Sequence, residues 1–232
     1  MGTDEPDMAQ QENAFINDVL DRKPSPYSHL LSGGNRTLRG LIGPSVSTPS
    51  GLVEDYFELA HHAAHRTTEQ HKVDLALLPV LYLYRHAVEL ALKYVVVLLI
   101  RAVEQGGGST TETVPEGHDL EELLKKVNTL FPAAKAHLSQ AGEVEPISGQ
   151  AQAFIRELHK LDPSGEVFRY VHTKARQGRK LQIQSDLQVD VDALVQGMVH
   201  IEKEVTWFMN NVENGIGMIE DFRAEMLSDA GW

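Results

Sequence analysis

The chain has no cysteine. Disulfides and thiolate metal sites are therefore excluded, and a reducing, cytoplasmic setting is compatible with the composition. The common catalytic and phosphate-binding signatures are also missing. There is no G-x-x-x-x-G-K-S/T and no G-x-G-x-x-G, so the usual phosphate loops are absent. There is no G-x-S-x-G elbow and no H-E-x-x-H zinc helix. No internal repeat and no parallel-strand pattern appear. The N-terminus MGTDEPDMAQ is acidic and polar, so no signal peptide is expected. Residues 75–100, LALLPVLYLYRHAVELALKYVVVLLI, come near to a membrane span but lack an uninterrupted apolar run of the needed length. Arg85, Glu89 and Lys93 sit near the middle, and each is costly in lipid, so no membrane crossing is expected.

What is present is enough for a core. The 232 residues are 42% hydrophobic, with a net charge of −12 that is unevenly spread. From Asp186 to Trp232 there are ten acidic side chains against two basic ones. From Val167 to Ser185 there is no acid, while Arg169, Lys174, Arg176, Arg179 and Lys180 are basic. The bulk charge argues against broad, non-specific nucleic-acid binding but allows one local anion site.

Periodicity indicates an all-α fold, an antiparallel helical bundle with a long C-terminal helix. Residues 1–50 are rich in Pro, Ser, Gly and Asn and read as a flexible or irregular arm, with a short helix near Gln10–Leu20. Residues 51–232 read as the bundle domain. Helices are expected over about Leu52–His71 and Asp74–Glu104, with Pro79 beginning or kinking the second. The linker QGGGSTTETVPEGH is flexible by composition. Asp119 is a good N-cap, with Glu122 three residues later, and the following helix is expected to end near Pro132. Another helix spans Gly149–Leu161 and stops at Asp162-Pro163-Ser164-Gly165. Residues 166–185 read as a short β-hairpin or an irregular loop. The last helix repeats apolar residues in alternating steps of three and four: Val191, Leu194, Met198, Ile201, Val205, Phe208, Val212, Ile219, Phe222 and Met226. This seam is either a core stripe or a dimer interface.

Three polar constellations could carry chemistry. The first is the stripe inside residues 75–100. Arg85, His86, Glu89 and Lys93 fall within roughly a 100° arc of one helix. A buried charge costs several kcal/mol unless it is paired. The stripe is therefore either an ion-pair ladder that sets helix register, or a pocket where Arg85 holds an anion and His86 moves a proton. The second is Glu54, Glu58, His61, His62, His65 and Glu69 on the preceding helix. Glu58, His61 and His65 have metal-ligand spacing, but a di-iron bundle needs a second Glu-x-x-His pair, and none is found. A solvated polar face is the alternative. The third is the basic loop opened by Phe168-Arg169-Tyr170, where Arg169 could hold phosphate and Tyr170 could stack on a base. It could equally pair with the acidic C-terminal helix.

Several short motifs occur in a suggestive order: Tyr84-Arg85-His86-Ala87-Val88-Glu89-Leu90 with Lys93, then Gly117-His118-Asp119-Leu120 with Leu123, then Asp162-Pro163-Ser164 and Phe168-Arg169-Tyr170. Over about residues 75–180 this order resembles the HEPN superfamily of helical nucleotide-binding domains, in particular bacterial proteins of that type. The resemblance implies an antiparallel helical bundle, often dimeric. Many members are metal-independent ribonucleases of defence or toxin–antitoxin systems, while others only bind nucleotides or partners. The family's catalytic Arg-x(4–6)-His pair lies in a late helix. Here that spacing occurs only early, at Arg22 to His29 and Arg66 to His71, and the late segment has the shorter Arg169 to His172.

Three functions follow as expectations. The first is a HEPN-like protein binding an RNA or nucleotide phosphate through Arg85, Glu89, Lys93, Arg169 and Tyr170. His86 and His118 are its proton-transfer candidates, and no cofactor or metal is required. His118, beside the Asp119 cap, would sit at a helix N-terminus, where anions are favoured. The second is a non-catalytic module that forms a homodimer through its helices. The third is a metal-binding bundle using Glu58, His61 and His65.

Overall fold

A computed structural model describes residues 48–69, 73–138, 143–169 and 188–229. The expected N-terminal arm and its short helix lie outside these residues, as do Tyr170 and most of the basic loop. The compact unit that contains the described residues runs from Ser47 to Trp232. Among the described residues five helices build it: α1 (Pro49–Glu69), α2 (Val73–Gln105), α3 (Leu120–Leu138), α4 (Gly149–Leu161) and α5 (Val191–Asp229). No strand occurs among the described residues. The fold is an all-α bundle.

α2 is the centre. It packs against α1, α3 and α5, and those partners surround it. Val80, Leu81, Tyr84, Val88, Leu92, Val95 and Leu99 are all buried. A helix that is apolar nearly all round has to be enclosed in this way. The neighbours are one-sided by comparison. α1 buries Val53, Phe57, Ala60, Ala64 and Thr67, a single stripe at helical spacing. α4 buries Ala151, Ile155 and Leu158, and Ser148 caps it by accepting from the Ala151 N–H at 3.2 Å. No helix of the described residues is long and apolar enough to cross a membrane.

Helix direction follows from the paired residues. α1 and α2 form an antiparallel hairpin. α2 and α5 run parallel, since Tyr94 meets Glu213, Arg101 meets Glu220, and Gln105 meets Arg223. α3 also runs parallel to α2, because residues 106–119 return along the bundle before α3 starts. Glu112 in that return pairs with Lys126 of α3, and Val114 packs on the core. The linker is Gly-rich, yet it follows a defined path here. α4 is antiparallel to both α3 and α5, with Gln152 on Asn128 and Ser148 on Glu204.

One sequence expectation needs correction. The third helix does not end near Pro132; it continues to Leu138 with Pro132 inside it. Pro132 is exposed, while Leu130, Phe131, Ala134 and Leu138 are buried. The apolar stripe crosses the proline, so packing outweighs the lost N–H. Pro79 likewise lies inside α2, on its exposed side. The α5 seam is mainly a core stripe. Leu194, Met198, Ile201, Val205, Phe208 and Val212 are buried within the chain. Only its far end, Phe222 and Met226, each 60% exposed, is open.

Candidate functional site

The polar stripe of α2 faces the place where three other segments meet: the residues before α3, the end of α4, and the turn after α4. Arg85 is 2% exposed and Glu89 is 3% exposed. The Arg85 guanidinium has an acceptor on every nitrogen. Nε donates to the Asp162 carbonyl at 3.0 Å and lies 3.4 Å from the Asp162 carboxylate. One terminal nitrogen donates to Glu89 Oε2 at 3.1 Å, and the other to the His118 carbonyl at 2.5 Å. Glu89 is equally occupied. Its second oxygen accepts from Lys93 Nζ at 2.9 Å and lies 2.8 Å from His118 Nδ1. The planar fork of arginine suits such a three-way tether, which no lysine could reproduce.

Asp162 completes the cluster from the C-cap of α4. It is fully buried, and its carboxylate accepts the backbone N–H groups of Val167 at 3.1 Å and Phe168 at 3.5 Å. The turn closes through Gly165, which has φ +73°. A Cβ there would come 2.8 Å from the His118 Cβ and 2.9 Å from an Arg85 nitrogen. Only glycine allows both the left-handed backbone and the close approach. The turn then carries Arg169 outward, with its Nε donating to the Gly165 carbonyl at 2.6 Å.

The exposed side of the cluster holds Lys93, His118 and Arg169. His86 lies beside them, stacked on Tyr82 with centroids 5.7 Å apart and edge-on to Tyr56 at 4.7 Å. Burial pushes the His86 pKa down. The charge of Glu89 opposes this, and Arg169, His118 and Lys93 reinforce it. The net direction keeps His86 neutral near pH 7 and able to accept a proton. For Glu89, burial acts to raise the pKa, but the hydrogen bonds and charges of Lys93 and His118 together outweigh it. Its carboxyl stays below the ordinary value and ionised. Within the buried base, Arg85 and Lys93 balance Glu89 and Asp162.

The structure thus brings Arg85, His86, Glu89, Lys93, His118 and Arg169 into one neighbourhood from separate parts of the sequence. It places Arg85 beneath the surface as a tether, where its donors are used within the chain. The helix N-terminus beside His118 is also occupied: Asp119 accepts from the Glu121 and Glu122 N–H groups at 2.8 and 2.9 Å. An anion at this site would be met by side chains, not by free helix amides. In the sequence, Asp162 and Gly165 read as a helix stop and Asp162 as one of the ordered motifs, but neither was expected to build a wall of the site.

The second constellation comes apart. His61 turns inward, 2.8 Å from the Tyr84 hydroxyl through Nδ1 and 2.9 Å from Glu202 through Nε2. Glu58 instead pairs with His62 at 3.5 Å, and His65 with Glu69 at 3.4 Å. Among the described residues no group of three His, Asp or Glu side chains is placed to hold a metal ion, so Glu58, His61 and His65 do not form a metal site. The Tyr84–His61–Glu202 chain had no sequence signal, because its members lie on three different helices. Compared with protein-family models, curated proteins and solved structures, the chain gives no significant match.

Proposed function

We propose that this is a HEPN-like, cytoplasmic helical protein that binds the phosphate of an RNA or nucleotide at the rim formed by Lys93, His118 and Arg169. The observation that supports the reading is the convergence of these cations with His86 over a buried Arg85–Glu89–Asp162 base. Rigid support from below leaves the outer groups preorganised. In this reading Lys93 and Arg169 hold the phosphate, and His86 and His118 are the proton-transfer pair. The biological setting would be a bacterial defence or toxin–antitoxin system, with metal-independent RNA cleavage as the reaction if chemistry follows binding.

The test uses full-length protein and a labelled single-stranded RNA in EDTA. Binding should weaken steeply with salt, as phosphate contacts do. Arg169→Ala and His118→Ala should each weaken it several-fold while the protein stays folded, since Arg85 uses only the backbone carbonyl of His118. Unchanged RNA affinity and cleavage in both variants would eliminate the site.

A second reading is a homodimerising module. The observation favouring it is the open end of α5, where Met218, Phe222 and Met226 are exposed at four-residue spacing. A solution mass equal to one chain, unaltered by Phe222→Asp, would sink this reading.

A further inference from the structure

We propose that the groove between α1 and α5 docks a basic amphipathic helix from a partner protein. The groove has a volume of about 1250 Å³. That exceeds the roughly 300–1,000 Å³ of most small-molecule sites, and the space is an open trough between two helices. Its α1 wall runs from Glu54 to Thr68, about 21 Å at 1.5 Å per residue, which matches roughly four turns of helix. An amphipathic helix laid into an apolar trough is a recurring recognition mode.

The floor is apolar, formed by Ala64, Val195, Val199 and the face of Trp207. Trp207 is 47% exposed. It also borders a smaller pocket of about 340 Å³ beside Ile147, so it stands as a ridge between two depressions. Tryptophan is among the side chains enriched at interface hot spots.

The rim selects the partner. Glu54, Glu58, Asp192 and Glu202 line the groove against a single lysine, Lys203. The antiparallel run of α1 and α5 puts Glu54 and Asp192 at opposite ends. Neither has an ion-pair partner among the described residues. This field repels nucleic acid and attracts a helix with Lys or Arg along its polar edges. The groove walls are also held apart at a set width. His61 of α1 joins Tyr84 of α2 and Glu202 of α5 through hydrogen bonds of 2.8 and 2.9 Å. A preset trough needs little ordering on binding. The acidic and histidine face of α1, which has no three-ligand arrangement for a metal among the described residues, thereby acquires a use.

The probe is a labelled synthetic peptide of about four turns, with leucines on one face and lysines on the other. Its mirror in charge carries glutamates in place of the lysines. Full-length protein should bind the lysine peptide, and binding should weaken as salt rises. Trp207→Ala should weaken it by about tenfold or more. Glu54→Lys with Asp192→Lys should do the same, whereas Asp221→Lys with Glu225→Lys, an equal charge change on the exposed far end of α5, should have little effect. Circular dichroism confirms that each variant folds. Equal affinity for the two peptides, no binding, or equal losses in the two charge-reversal pairs would each overturn the proposal.

Discussion

Arg85 shows how one residue can be read correctly in type and differently in role. Its spacing from Glu89 announced an ion pair. Its second and third partners, the Asp162 and His118 backbones, could not be inferred from helix geometry. Because Asp162 would be left buried without its counter-charge, and Glu89 would keep only Lys93 and His118, Arg85→Ala should cost about 3–5 kcal/mol in denaturant unfolding. Arg85→Lys should not restore the loss, since an ammonium cannot span all three acceptors. A loss below about 1 kcal/mol in Arg85→Ala would refute the tether. Glu89 adds a pH dependence. Its folded pKa is lowered from the ordinary 4.5, so its contribution is complete above about pH 4.5. That contribution disappears as pH falls through the lower folded value. Unfolding measured between pH 5 and 3 should show an acid-side loss in the wild type that is smaller in Glu89→Gln.

At the level of elements, the helices were largely legible because burial and period coincide. α4 matches its sequence boundaries, Gly149 to Leu161, since a serine cap and an Asp-Pro stop frame it. α3 was misjudged at Pro132 because local propensity was weighed without its packing. Pro132→Ala should therefore stabilise the protein by about 1–3 kcal/mol, by restoring a helical N–H on an exposed face. An unchanged or lowered melting temperature would show that the proline is accommodated at no cost. The α2 stripe was recognised as a set of polar residues on one arc, but its neighbours depended on how α3 and α4 were laid against it. The parallel course of α2 and α3 is the decisive feature, because residues 106–119 carry His118 back to the level of Glu89.

For the molecule as a whole, the α5 seam separates two kinds of apolar surface that look alike in sequence. Val205 is fully buried, and Phe222 is 60% exposed. Val205→Asp should abolish cooperative unfolding or cost more than about 4 kcal/mol, since it buries an unpaired charge. Phe222→Asp should change monomer stability by less than about 0.5 kcal/mol. Equal effects of the two, measured by thermal unfolding at low protein concentration, would mean that the seam is continuous after all. The opposite polarities of the two candidate surfaces also belong to this scale. One rim carries Lys93, His118 and Arg169, the other four carboxylates, so the net charge of −12 describes neither.

The amino-acid sequence alone determined the all-α class, most helix boundaries, the exclusion of thiolate chemistry, and the polar arc of α2. These follow from local spacing and residue type, which act over one or two helical turns. Tertiary structure decided that Arg85 lies beneath the site, that Asp162 and Gly165 wall it, that the histidines of α1 do not converge on a metal, and that most of the α5 seam is core. Each of those outcomes depends on contacts between residues tens of positions apart. Such contacts are set by how helices cross and how the chain returns between them, and helical periodicity carries no record of either.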